Sequence, residues 1–330
     1  MDGRLYGFLG VGVPYFTTEG TTLRATLKEI IENANKKLGY LEIRTPEIVP
    51  KALLKKTGHE KFYELDTYSL DQEYSLKPMN CPGFIAMLLQ KENILEQELP
   101  IKLAEIEGKV ARTEWDHKLK ESLKRLHIFT QDDSHALIAS EEEAIPIIME
   151  TLRTMLDIYK LFDFNFESNN FKIVVTNGKP EEALGTEEEW KKSENVLRRC
   201  LEEAKKLGNI PEYEDDENRA AFYGPKINFQ IRNSENQWVQ CGTIQLDNQI
   251  PKSAELTYIG EDGKRHTPVM LHRAILGSYE RFISILMDNY NRKFPIWLSP
   301  VKARILPKDK SEIDIADLIS KELYDKRYYN

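Results

Sequence analysis

The segment INFQIRNSENQWVQCGTIQL, residues 227–246, reads as two strands joined by a turn. Residues 227–232 and 237–246 carry the β-branched and aromatic side chains that favour a pleated surface, and Asn233, Ser234 and Glu235 between them are turn residues. Upstream, residues 171–175 read as a short buried strand. Thr186 and Glu189 have capping-box spacing, and a helix carrying Trp190, Leu197, Leu201 and Leu207 follows, with Gly208 as its stop. Downstream, residues 271–290 predict an amphipathic helix.

Nearer the N-terminus, Leu23, Leu27, Ile30, Ile31, Ala34 and Leu38 form a helical stripe over residues 22–38. Gly39 ends it, residues 40–44 alternate as a strand, and Pro46 forces Thr45 toward extended backbone and closes the strand. Ser140 and Glu143 suggest a second capping box ahead of a helix reaching about residue 161, with Pro146 as the alternative start. After Pro300 the sequence offers one strand (301–306) and one helix (about 312–324), too few elements for a domain. Helices and strands follow without a βαβ rhythm, so the fold class is α+β, a mostly antiparallel sheet flanked by helices. The expected division is a catalytic unit over residues 1–300 and a truncated domain start or tail over 301–330.

A length of 330 residues suggests about two domains and allows a sizeable core. No window is long and apolar enough to span a bilayer, and the first residues lack a secretory signal, so a cytoplasmic location is expected. Cys81, Cys200 and Cys241 are too few and too widely spaced for a disulfide framework. The net charge of −8 argues against a general nucleic-acid binder, although Lys118, Lys120, Lys124 and Arg125 form a local basic run.

Walker, dinucleotide-fold and nucleophile-elbow motifs are missing from the sequence, as are short-range zinc motifs. Polar clusters stand out instead: KPMNCPG (77–83), FTQDDSH (129–135), AFYGPKI (221–227), QCGTIQLD (240–247) and HRAILGSYERF (272–282). Each has an ordinary explanation: a buried cysteine, a hydrogen-bonding histidine, a helix-surface ion pair, a turn. Together and in this order they resemble the class II aminoacyl-tRNA synthetase catalytic domain, and within it the threonyl-tRNA synthetase family. Residues 38–46 resemble the class's first motif, the helix–strand–proline element of its dimer interface. Residues 112–129 resemble the second motif and residues 277–282 the third.

The resemblance implies a zinc enzyme acting on L-threonine, ATP and tRNA(Thr), as a homodimer without membrane attachment. Cys81, His135 and His272 would hold one Zn²⁺ per subunit, three protein ligands leaving one position open. Asp133 would accept the substrate hydroxyl's hydrogen bond, and Gln131, Tyr223 and Gln245 would orient the amino acid. Arg112 would meet the α-phosphate and carboxylate, Arg281 the γ-phosphate, and Arg125 would assist. Glu114 would contact adenine, Gln240 and Thr243 would lie near the ribose, Lys226 would add charge near the reacting centre, and Mg²⁺ would accompany ATP. His59 matches the histidine assigned as base for the terminal ribose hydroxyl, against an ordinary reading as an exposed helix-end histidine.

The sequence departs from the family pattern at three places. Phe84 replaces a histidine, the loop WDHKLKES (115–122) is longer and more charged than usual, and His127 stands where arginine is common. The anticodon-binding domain of the family would begin near Ser299, and no editing domain precedes residue 1, so the chain alone is expected to accept serine. Two other readings remain at this level: a synthetase-like protein loading a non-tRNA acceptor, and a non-catalytic regulatory module.

Overall fold

The computed structural model describes residues 5–113, 122–177, 183–216 and 220–326. Eight strands form the main sheet: β1 (Leu41–Glu42), β2 (Ile101–Ala111), β3 (Ile128–Ile138), β4 (Phe171–Thr176), β5 (Glu214–Asp216), β6 (Lys226–Arg232), β7 (Trp238–Asp247) and β8 (Val269–Ser278). Their spatial order is β1-β2-β3-β8-β7-β6-β4-β5. The five inner pairings are antiparallel, and the two outermost, β1 with β2 and β4 with β5, are parallel. The helices used below are α1 (Thr18–Lys37), α2 (His59–Tyr63), α3 (Cys81–Leu89), α4 (Glu141–Leu161), α5 (Glu187–Lys206), α6 (Tyr279–Asn289) and α7 (Ile313–Lys326). This is the expected α+β arrangement.

Local chemistry explains most boundaries. Thr17 caps α1 by accepting from the Gly20 N–H at 3.2 Å, so the helix starts four residues before the expected position. Leu23, Leu27, Ile31 and Ala34 of the expected stripe are buried, and Gly39 ends the helix at φ +76°. Ser140 caps α4 through the Glu143 N–H, so Pro146 lies inside the helix rather than at its start. Thr186 and Glu189 satisfy each other's backbone N–H groups as a complete capping box at the start of α5.

Three expectations need correction. Residues 271–278 continue strand β8, and only the part from Tyr279 onward is helical. Every residue of β8 is buried, so its near-continuous apolar run carries no two-residue alternation to separate it from a helix. Gly277, at φ +84°, turns the chain out of the strand where a Cβ would lie 2.5 Å from the Cys241 carbonyl oxygen. Ser278 then caps α6 by accepting from the Arg281 N–H. The expected strand over 301–306 does not form: Val301 and Leu306 are exposed and pair with no strand among the described residues. The strand over 40–44 shrinks to Leu41 and Glu42, with Leu41 turned to solvent.

Two apolar clusters sandwich the sheet. The larger packs α1, α4, α5 and α6 against Ala136, Ile138, Ile244, Leu271 and Ile275. The smaller gathers Cys81, Phe84, Ile85 and Leu88 of α3 with Leu137, Tyr223, Ile250 and Met270. Alternation along a strand sends odd and even residues to opposite faces, which is how Leu137 and Ala136 come to serve different clusters. Register then aligns the chemistry. His135 pairs with His272, His272 with Gln245, and Gln245 with Lys226, making one row across four strands. A neighbouring row runs Glu105, Asp133, Ala274, Thr243, Asn228.

Tyr159 of α4 clamps this register from behind. Its buried hydroxyl donates to the Ile275 carbonyl at 2.7 Å and accepts from the Gly242 N–H at 2.8 Å. Tyr159→Phe strands one buried carbonyl and one buried N–H, and each orphan costs about 1–3 kcal/mol. Urea unfolding should show a midpoint lowered by that order with an unchanged slope. An unchanged midpoint would show the clamp to be dispensable.

Candidate active site

Ligand-type side chains converge on the face of the smaller cluster. The Sγ of Cys81 and ring nitrogens of His135 and His272 all lie within 4.8 Å of one another, and all three residues are buried. Cys81 opens α3, while the histidines stand opposite each other on β3 and β8, ring centroids 4.8 Å apart. A zinc ion bonds nitrogen and sulfur at about 2.0–2.3 Å, so a small side-chain adjustment brings such donors onto one ion.

The surroundings fit a cation. Among the described residues, His135 Nε2 and His272 Nδ1 are buried without a hydrogen-bond partner, an arrangement that protein interiors rarely leave unsatisfied. The other His272 nitrogen, Nε2, meets Asp247 Oδ2 at 2.8 Å, the carboxylate–histidine support usual behind a metal ligand. Burial, with Asp133 and Asp247 close by, pushes the Cys81 thiol well above its usual range, a bias that a bound dication reverses. Burial is also the main cause holding His135 down to about 4, which leaves its ring neutral and able to ligate.

The residues expected to meet the amino acid surround this triad. Asp133 is buried and receives the Asn80 amide at 3.0 Å, with its Oδ1 3.7 Å from His135 Nε2. Tyr223 stacks on the His272 ring at 4.6 Å. Gln245 donates to the Gly224 carbonyl, a close approach that Gly224 permits because a Cβ there would overlap the Leu246 carbonyl oxygen. The Gln131 Oε1 is buried without a hydrogen-bond partner. His59 is buried at the start of α2, not exposed, with Nδ1 2.9 Å from Thr57 Oγ1 and Nε2 3.1 Å from Cys81 Sγ. Its neutral ring follows chiefly from burial, which lowers it to about 3.

A cationic cavity is lined by Arg112, Arg125 and Arg281 together with Phe129 and Ser278. Arg112 donates through Nε to the Pro78 carbonyl at 2.8 Å, and its guanidinium lies 5.0 Å over the Tyr63 ring. Arg281 donates to the Lys124 and Gln240 carbonyls. Lys226 reaches the Gln240 side-chain oxygen at 3.5 Å, so these two expected residues are neighbours. Thr243 lies on β7 within the row that includes Asp133. Glu114, expected to contact adenine, lies outside the described residues with most of the loop that follows it.

Comparison with known proteins agrees with this geometry. The tRNA synthetase class II core domain (G, H, P, S and T) matches residues 63–290. A crystal structure titled as the RNA binding domain of threonyl-tRNA synthetase from Cryptosporidium parvum Iowa II superimposes with a TM-score of 0.88 at 32% identity, covering 98% of this chain and 79% of that one.

The chain belongs to the threonyl-tRNA synthetase family.

The threonine–tRNA ligase of Clostridioides difficile is 40% identical over 321 residues, 96% of this chain and 48% of the relative. That of Syntrophomonas wolfei is 40% identical over 322 residues, with the same 48% coverage of its length. The chain thus spans about half the length of the curated relatives it matches. Among the described residues no helix is long and apolar enough to cross a membrane.

The departures from the threonyl-tRNA synthetase pattern have local accounts. Phe84 is buried and stacks on His135 at 5.0 Å, so an apolar ring braces this histidine from α3. His127 meets the Tyr68 hydroxyl at 2.7 Å through Nδ1, and its carbonyl accepts from the Arg112 N–H. Sequence reasoning gave no role to Asp247, Asn80 or the buried pair of Lys77 and Glu105. Asp247 was legible: Thr243, Gln245 and Asp247 alternate onto one face of β7. Lys77 sits 2.9 Å from Glu105, and both hold Thr45. That contact joins distant segments, so no local pattern announces it.

Asp247→Asn weakens the support behind His272. Zinc affinity measured by chelator competition should fall about 10–100-fold. Affinity equal to that of the unaltered chain would remove Asp247 from the site.

Proposed function

We propose that this domain activates L-threonine with ATP to threonyl-adenylate and passes the threonyl group to tRNA(Thr). The observation carrying the proposal is the convergence of Cys81, His135 and His272 with two unpartnered buried nitrogens, beside a cavity lined by three arginines. Family membership supplies the reaction class.

Cys81, His135 and His272 would hold one Zn²⁺, which when bound supplies a Lewis-acid position suited to an amino group and a neighbouring hydroxyl. Asp133 accepts the hydroxyl's hydrogen bond, and Gln131, Tyr223 and Gln245 orient the amino acid. In the first step a threonine carboxylate oxygen bonds to the α-phosphorus and pyrophosphate leaves. Negative charge on the phosphoryl oxygens is met by Arg112, Arg125 and Arg281, whose planar guanidinium groups bind phosphate in forks without losing charge. Lys226 adds positive charge; Glu114 serves adenine, and Gln240 and Thr243 serve the ribose. Mg²⁺ accompanies the triphosphate.

In the second step a terminal ribose hydroxyl of tRNA attacks the carbonyl carbon and AMP leaves. We assign His59 as the base by its match to the family's histidine: buried as it stands its ring is a weak proton acceptor, so the role requires Nε2 to part from the Cys81 sulfur and the ring to gain access to the ribose hydroxyl. Dimerisation through the segment after α1 is part of the proposal, supported by Leu41 and Ile48, which lie exposed there. So is the division of the chain at residue 300, supported by Ile315, Leu318 and Leu323 of α7, which stay exposed and join neither apolar cluster. A cytoplasmic location accompanies the function.

ATP–pyrophosphate exchange with parallel amino acids tests the assignment. Valine, isosteric but without the hydroxyl, should be rejected by about 10⁴–10⁵, because the site's polar groups are left unpaired. Serine lacks only a methyl and should be rejected by only about 10–200-fold. Cys81→Ala should lose both stoichiometric zinc and exchange. Exchange that does not depend on threonine, or that valine supports equally, contradicts the proposal.

A further inference from the structure

Asn80 occupies the position before α3 at which an asparagine ordinarily caps the helix, yet its side chain makes no cap hydrogen bond. It is buried, and its amide Nδ2 donates instead to Asp133 Oδ2 at 3.0 Å. The amide thus presents its nitrogen to a carboxylate oxygen that accepts. Room for this is built into β2. A Cβ on Gly108 would lie 2.5 Å from Asn80 Nδ2, and the pairing of β2 with β3 shifts register between Glu105 and Gly108. The loop before Asn80 is pinned from both sides: Lys77 Nζ contacts Glu105 and Thr45, and Arg112 Nε holds the Pro78 carbonyl. With Oδ2 taken, Asp133 keeps Oδ1 toward the ligand cluster, 3.7 Å from His135 Nε2.

We propose that Asn80 is a positioning residue for amino-acid selection: resting on Gly108, its amide fixes the Asp133 carboxylate so that one defined oxygen receives the substrate's β-hydroxyl. The inference rests on the assignment of threonine as substrate.

The discriminating property is a ratio. Loss of the Asn80 amide frees Asp133 to rotate, so only substrates that use the hydroxyl suffer. In pyrophosphate exchange, Asn80→Ala lowers kcat/KM for threonine and serine about 10–100-fold, the effect of losing one hydrogen bond to a charged group. Valine, which has no hydroxyl, keeps its value, so the threonine-to-valine ratio narrows by the same factor. Calorimetric binding of L-threonine weakens in parallel while zinc stays at one per chain. Gly108→Ala, which keeps every polar group, shifts the ratio in the same direction because its methyl displaces the amide. The double variant is no worse than Asn80→Ala alone, since the methyl then has nothing to displace.

Equal losses for all three amino acids, or an unchanged ratio, overturn the proposal and reduce Asn80 to packing. Should Asn80→Ala not fold, Gly108→Ala alone decides on the same criterion. Wild-type chain without threonine-dependent exchange removes the substrate assignment, and this inference with it.

Discussion

Two imidazoles and a thiol, drawn from three separated elements, are crowded together and buried. Two of their nitrogens have no partner there, and a buried polar atom without a partner costs free energy. A cation accepted by all three would satisfy them at once, and the surrounding carboxylates of Asp133 and Asp247 would welcome its charge. The sheet supplies two of the three groups simply through register, since His135 and His272 face each other across β3 and β8.

Cys81 is the harder part to place, because it comes from a helix outside the sheet. The loop before it is therefore anchored repeatedly. Lys77 and Glu105 form a buried ion pair that also holds the Thr45 hydroxyl. Removing one partner of such a pair leaves an uncompensated buried charge, which is why it resists separation once formed. Arg112 takes the Pro78 carbonyl, and this same guanidinium lines the cationic cavity. The residue proposed to meet the α-phosphate thus also holds the loop carrying the thiol, linking the two halves of the site mechanically. The positive cavity in a chain of net charge −8 shows that total charge says little about local charge.

How far the sequence could be read depended on range. Capping signals at Thr186 and Ser140 act within three residues, and they located α5 and α4. The strands 227–232 and 237–246 were legible because turn residues bracket them and β-formers fill them. Strand β8 was misread because full burial on both faces erases the alternation that separates strand from helix. Residues 301–306 pair with no neighbour among the described residues. At the site, the ordered strings named Cys81, His135 and His272 through resemblance, and the fold brings them together. Asn80 and the Lys77–Glu105 pair escaped because their roles exist only across the fold, whereas Asp247 shares the strand alternation of Thr243 and Gln245 and could have been read from it. His59 went the other way: the helix-end position suggested exposure, but Phe222 packs edge-on against its ring and Cys81 covers its Nε2.

X-ray absorption at the zinc edge of the purified chain tests the convergence most directly. One sulfur at about 2.3 Å and two nitrogens at about 2.0–2.1 Å are predicted, with a further light-atom position that changes when L-threonine is added. A shell of four sulfurs, a shell without sulfur, or a spectrum indifferent to threonine would contradict the account.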